Sequence, residues 1–323
     1  MSSRLTPVPN AHDHQQAHND TEAIIPQPAR NQFVIALLTN LRCRRYSPAA
    51  WGRFFADSWQ QSRATVKAHL RLSCSWVRIS LLMAAIATAG FFVIALLEGP
   101  AAASHLLPAL LLCLALQHGD VYVHLGLNWR PTDGLFRERL GIPTILTLIR
   151  GVMANLLLAH LLSGVTPLPS VVLGVFLMGI ATDGLDGQIA RRTNWQTRLG
   201  GYLDGEADLY LYSSASLCAL LIGVLPAWVA VIMILRFTVP LLAAVLSYFV
   251  AIRQVDLTHT VLGRSAGVAQ AVLLITVLAP PPLARIISPL FVPLLLLTVM
   301  LLVLAPIIEI AKNLIQWRNT LRH

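Results

Sequence analysis

Long uncharged apolar runs constrain this chain more than any other feature. A helix needs about 20 mostly apolar residues to cross the hydrocarbon of a bilayer, and only helices or closed barrels satisfy their own backbone groups there. Residues 79–97 form one such run, bracketed by Arg78 and Glu98. A second, 103–125, follows the break EGP. Six more fall at 142–162, 170–190, 200–222, 227–252, 263–278 and 286–310. Proline and glycine separate them at SGVTPLPS, GVLPAW and LAPPPLA, where such residues interrupt helices. Composition agrees. The chain is 12% charged and 56% hydrophobic, whereas soluble domains are about one-quarter charged. The expectation is an all-α, polytopic integral membrane protein with eight spans.

Basic residues orient it. With an inside N-terminus, 21 of the 24 Lys and Arg fall on inner segments, Arg285 falls outside, and Arg150 and Arg236 lie within spans. The positive-inside bias therefore puts both termini and the loop 192–199 on the cytosolic side of the cell (inner) membrane. Residues 30–78 carry nine Arg or Lys against one acid, Asp57. A juxtamembrane basic segment of this kind suits an anionic leaflet, and no nucleic-acid motif accompanies it. Residues 1–32 are polar with no apolar core, so no cleaved signal peptide is expected there. Cys43, Cys74, Cys113 and Cys218 are far apart and form no CxxC pair, as expected of reduced thiols rather than a disulfide framework or zinc site.

One window runs against the apolar background. TDGLDGQIARRTNWQTRLGGYLDGEAD, residues 182–208, holds five of the fifteen acidic residues. Asp183, Asp186, Gly187 and Ala190 follow i, i+3, i+4, i+7 and share one helix face. After the loop, Gly200, Asp204 and Asp208 follow i, i+4, i+8 and share a face of the next helix. Two facing helices thus aim four carboxylates at one small volume. Carboxylates so placed need a counter-charge. An all-oxygen set selects hard divalent cations, Mg²⁺, Mn²⁺ or Ca²⁺, over zinc, and two ions can share four carboxylates. Arg191 can meet a phosphate at the same level. Gly187, Gly200 and Gly201 let backbones or a ligand come close. Glu206 projects about 160–200° away from the Asp204/Asp208 stripe and takes no catalytic role.

The spacing D-x2-D-G-x2-A-R-x8-G-x3-D-x3-D, carried by Asp183, Asp186, Gly187, Ala190, Arg191, Gly200, Asp204 and Asp208, resembles the signature of the CDP-alcohol phosphotransferases. The likeness covers roughly residues 130–315. It implies a six-helix transferase core (129–323); residues 1–128 lie outside it, and their charge and apolar runs read as a basic cytosolic arm (1–77) and a two-helix extension (78–128). It also implies transfer of a phosphoalcohol group from a CDP-alcohol such as CDP-diacylglycerol to an acceptor hydroxyl, with release of CMP. By that resemblance Asp183, Asp186 and Asp204 are the main metal ligands. Asp208 borders the second ion and is the general base. Donor-binding positions are Thr144, Thr147 and Arg150 in PTILTLIR, then Gly187, Ala190, Arg191, Thr197 and Gly200. Thr144 stands where the family usually has Asn. Family members are commonly homodimers. LDGEADLY carries Gly205 and Leu209 where phosphatidylglycerophosphate synthases often carry Pro and Lys. GRSAGVAQ, residues 263–270, likewise departs at two positions from their later motif, so the acceptor stays open.

A cation transporter is the alternative, since its intramembrane carboxylates would bind the transported ion. It leaves Arg191 and the glycines unexplained, and it favours carboxylates near the bilayer midplane. Arg150 and Arg236 each admit two readings, a phosphate ligand or a structural pair. His118, Asp120 and His124 do not share one helix face and read as interfacial residues.

Overall fold

The computed structural model describes residues 36–251 and 261–320; residues 1–35, with the polar start and Arg30, and residue 252 at the end of one expected span lie outside it. Among the described residues the fold is all helix, apart from one isolated bridge, Trp129 to Phe136. The helices are α1 (Pro48–Ala68), α2 (Leu70–Glu98), α3 (Pro100–His124), α4 (Ile142–Ser163), α5 (Pro169–Arg192), α6 (Arg198–Ile222), α7 (Ala227–Ala251), α8 (Val261–Leu278) and α9 (Pro281–Thr320). Each of the eight expected spans falls on one of α2 to α9. Among the described residues six helical stretches are long and apolar enough to cross a membrane: α2, Pro100–Leu127, α4, α5, α8 and Pro289–Lys312 within α9. In α6 the acids Asp204, Glu206 and Asp208 dilute an otherwise apolar sequence, and α7 contributes the shorter apolar stretch Ala227–Ala243.

Local chemistry sets the helix ends. Ser47 caps α1 by accepting from the Ala50 amide at 3.3 Å, with Pro48 at the first turn. Gly99, at φ 94°, ends α2 and Pro100 opens α3. Gly164 and Gly223 close α4 and α6 in the left-handed region that glycine tolerates. All four cysteines are free thiols.

α4 is the hub. From Pro143 to His160 nearly every residue is buried, and 67% of its most apolar window is enclosed by protein against 22% for α2. α4 is therefore interior and α2 lipid-facing. Gln117 of α3 donates to Leu148 O at 3.1 Å and accepts from Asn155 Nδ2 at 2.6 Å. A Cβ at Gly151 would collide with the Gln117 side chain, so glycine lets α3 come this close. At the far end, Glu98 meets His160 Nε2 at 3.0 Å and accepts from the Leu168 amide at 2.9 Å. The helices preceding α4 are thus bonded into the core.

The polar stretch 128–140 is a compact turn rather than a helix. Asp133 accepts from the Leu135 amide at 3.1 Å, and buried Asn128 donates to Arg137 O and Arg139 O at 2.7 and 3.0 Å. The turn reaches α6 through Arg198 N, which donates to Trp129 O at 2.9 Å.

Candidate active site

Three helix ends build the site. The first three turns of α4 supply Thr144, Thr147 and Arg150, one face at i, i+3, i+6. The last three turns of α5 supply Asp183, Asp186, Gly187, Ala190 and Arg191, and the start of α6 supplies Gly200, Asp204 and Asp208. Thr197 caps α6, its hydroxyl accepting from the Gly200 amide at 3.0 Å.

All four aspartates converge on Arg150. Its Nη2 lies 2.9 Å from Asp183 Oδ1 and also pairs with Asp186. Its Nη1 lies 2.9 Å from Asp204 Oδ1 and 2.5 Å from Asp208 Oδ1. The Thr147 hydroxyl sits 3.0 Å from Asp186 Oδ2. Arg150 is fully enclosed, whereas the side chains of Asp183, Asp204 and Asp208 are 44%, 46% and 30% exposed. The cluster is sealed on the protein side and open on the other. Sequence reading leaves Arg150 between two roles; the structure makes it the shared counter-charge. The rule that an arginine within a span faces acids points there, but which acids depends on helices 33 to 58 residues further on.

One guanidinium does not balance four ionised carboxylates. One oxygen each from Asp183, Asp186 and Asp204 lie within 4.8 Å of one another. Ligands around an octahedral Mg²⁺ at 2.0–2.1 Å lie about 2.9 Å apart when adjacent and about 4.2 Å apart when opposite, so the three oxygens would draw closer together around one ion. An all-oxygen set, excess negative charge and an open side fit a hard divalent cation. Asp208 lies outside that triad but bonds to the same guanidinium.

The glycines line this opening. A Cβ on Gly187 would press on the Arg191 guanidinium at 3.3 Å, so its absence lets exposed Arg191 fold back one turn toward the acids. A Cβ on Gly200 would stand 3.3 Å from Thr197 Oγ1 and 3.8 Å from Thr144 Oγ1. Thr144 is buried, and among the described residues its hydroxyl has no hydrogen-bond partner. Gly201 shows no close approach, with nothing within 4 Å of a Cβ built there. Ala190 is half-buried on the α5 face.

Other polar residues fall elsewhere. Arg236 donates to Gln270 Oε1 and Gly263 O, both at 3.0 Å, tying α7 to both ends of GRSAGVAQ. Asp120 meets His124 Nδ1 at 3.1 Å and accepts from the Tyr202 hydroxyl at 3.2 Å, apart from His118.

Known proteins resemble this chain in sequence. Curated relatives include the CDP-diacylglycerol–glycerol-3-phosphate 3-phosphatidyltransferases of Escherichia coli (strain K12) and Shigella flexneri serotype 5b (strain 8401). Each is 38% identical over 74 residues, 23% of this chain and 41% of the relative. The chain thus spans about two-fifths of the length of these relatives. The family model for CDP-alcohol phosphatidyltransferase matches residues 140–308, just over half of the chain and all three site helices. With its carboxylates, glycines and Arg191 carried on those helices, the chain belongs to the CDP-alcohol phosphatidyltransferase family.

Proposed function

We propose that this protein transfers a phosphatidyl group from CDP-diacylglycerol to a hydroxyl acceptor at the inner face of the cell membrane, releasing CMP. The observation that carries the reading is the convergence of four carboxylates, open on one side, at the end of the bundle where basic residues collect. Asp183, Asp186 and Asp204 would hold divalent cations, with Asp208 beside a second. Bound there, the ions supply neutralisation of pyrophosphate charge. Gly187, Ala190 and Gly200 leave room for the donor, and Arg191 reaches its phosphates. Thr144 offers an unpartnered buried hydroxyl toward Gly200 and, with Thr147 and Thr197, borders the nucleotide. Arg150 holds the carboxylates in register from the protein side. Asp208 accepts the proton of the attacking hydroxyl, whose oxygen bonds to phosphorus as the bond to CMP breaks. Glycerol 3-phosphate is the first acceptor to test, because the matched relatives are named for it. A homodimer in the bilayer, with both termini cytosolic and residues 1–77 acting in association rather than chemistry, completes the proposal.

The test is purified full chain with CDP-diacylglycerol and a panel of acceptors, read by CMP release and lipid mass spectrometry. Turnover should require Mg²⁺ or Mn²⁺ and stop in excess EDTA. Full activity in EDTA, or no CMP with any acceptor, would overturn it.

A further inference from the structure

A groove of about 480 Å³ opens between the start of α2 and the segment entering α4, within the size range of small-ligand sites. Ile79, Leu140 and Ile145 give it apolar walls, and Arg71, Arg78 and Arg139 stand at it. Arg71 and Arg78 are seven residues apart and share one face of α2. Ser75 between them accepts from the Leu140 amide at 3.1 Å, which fixes the spacing of the two walls. Arg71 is partly neutralised by Glu138 at 3.5 Å. Among the described residues no carboxylate is paired with Arg78 or Arg139, and both are exposed.

The groove is distinct from the carboxylate cluster. Ile145 precedes Thr147 by two residues and so lies about 200° round α4 from it. It is on the same level, however, because both sit at the start of α4. Arg78 is the last charge before the uncharged stretch of α2. Cations therefore stand at the boundary where apolar surface begins. A free anion would use the arginines but leave the apolar walls wet. A zwitterionic lipid would use the walls but bring a cation to the arginines. An anionic phospholipid uses both, its phosphate at Arg78 and Arg139 and its first acyl carbons along Ile79, Leu140 and Ile145.

We infer that this groove is a binding site for an anionic phospholipid of the surrounding leaflet, separate from the reaction centre. The probe is short-chain phosphatidylglycerol, titrated against full chain in phosphatidylcholine nanodiscs, with inorganic phosphate and glycerol 3-phosphate as competitors. Replacing both Arg78→Gln and Arg139→Gln should weaken phosphatidylglycerol binding roughly tenfold or more, at about 1 kcal/mol per basic residue near a membrane surface. The Lys variants of both positions should restore most of it. Cys74→Trp keeps every arginine but fills the groove from an exposed lining position, and should also weaken binding. Unchanged binding by the double Gln variant or by Cys74→Trp overturns the proposal. So does displacement of the lipid by inorganic phosphate or glycerol 3-phosphate, which would make it a site for a soluble anion. Equal binding of phosphatidylcholine would likewise overturn it.

Discussion

Ionisable groups meet α4 at both of its ends, and the two meetings differ in kind. Near its start, Arg150 faces four carboxylates, three of them substantially exposed. Near its end, His160 faces Glu98 alone. Both side chains are enclosed, at 0% and 5% exposure, and the second Glu98 oxygen is satisfied by the Leu168 amide. A closed, matched pair is a joint: every polar atom has a partner and nothing can enter. An open cluster with more acid than base keeps bonding capacity for a ligand. The same helix thus carries a fastening and a reaction centre about 15 Å apart along its axis, at 1.5 Å per residue.

Substitution separates the two. The largest expected effect is on the open cluster. On the proposed reaction, Asp208→Asn should cut turnover by roughly 10²-fold or more, the scale of a lost general base, with donor affinity kept within about tenfold. Asp183→Ala should instead weaken cation and donor binding together. Initial rates, donor titrations and size-exclusion profiles distinguish these outcomes; near-normal turnover of Asp208→Asn would remove it as base. At the closed end the pattern reverses. Glu98→Ala leaves His160 and the Leu168 amide without their partner and should cost about 3 kcal/mol of stability, the lower end for breaking a buried pair. Denaturant or thermal unfolding measures the loss, and the rate per folded molecule should stay near that of the parent. A rate that falls as far as for Asp208→Asn would mean that the two ends do not act separately. Removal of residues 1–35, which lie outside the region matched by the family model, should leave the rate within about twofold.

The carboxylate faces were legible because helix spacing is local. Asp183 and Asp186, or Asp204 and Asp208, declare a shared face within one turn, and the loop between them turns one helix against the next. Helix ends were legible for a similar reason, since Gly99–Pro100, Gly164 and Gly223 announce their own backbone geometry. What stayed hidden is set by distant pairing. That Arg150 joins all four acids depends on how α4 packs between α5 and α6. That Asn155 meets Gln117, or Glu98 meets His160, depends on where α2 and α3 dock. In the polar run 128–140, Pro131 and the Asp133 turn fold the chain back on itself, and the Trp129 carbonyl meets the Arg198 amide, a pairing that no local spacing announces.

The burial of Arg150 also bears on how the chain enters the membrane. Ribosomes add about 5–20 residues per second, and Asp208 follows Arg150 by 58 residues. For roughly 3–12 seconds α4 therefore exists without its last counter-ion. An arginine near the middle of a lone inserted helix costs about 2.5–3.5 kcal/mol, which disfavours α4 as a solitary span. Gln117 and Glu98, already made, offer α4 polar partners on its other faces, but none for the guanidinium. The guanidinium of α4 gains its full set of counter-ions only when α5 and α6 arrive, so the three helices that form the reaction centre should settle as one cooperative unit.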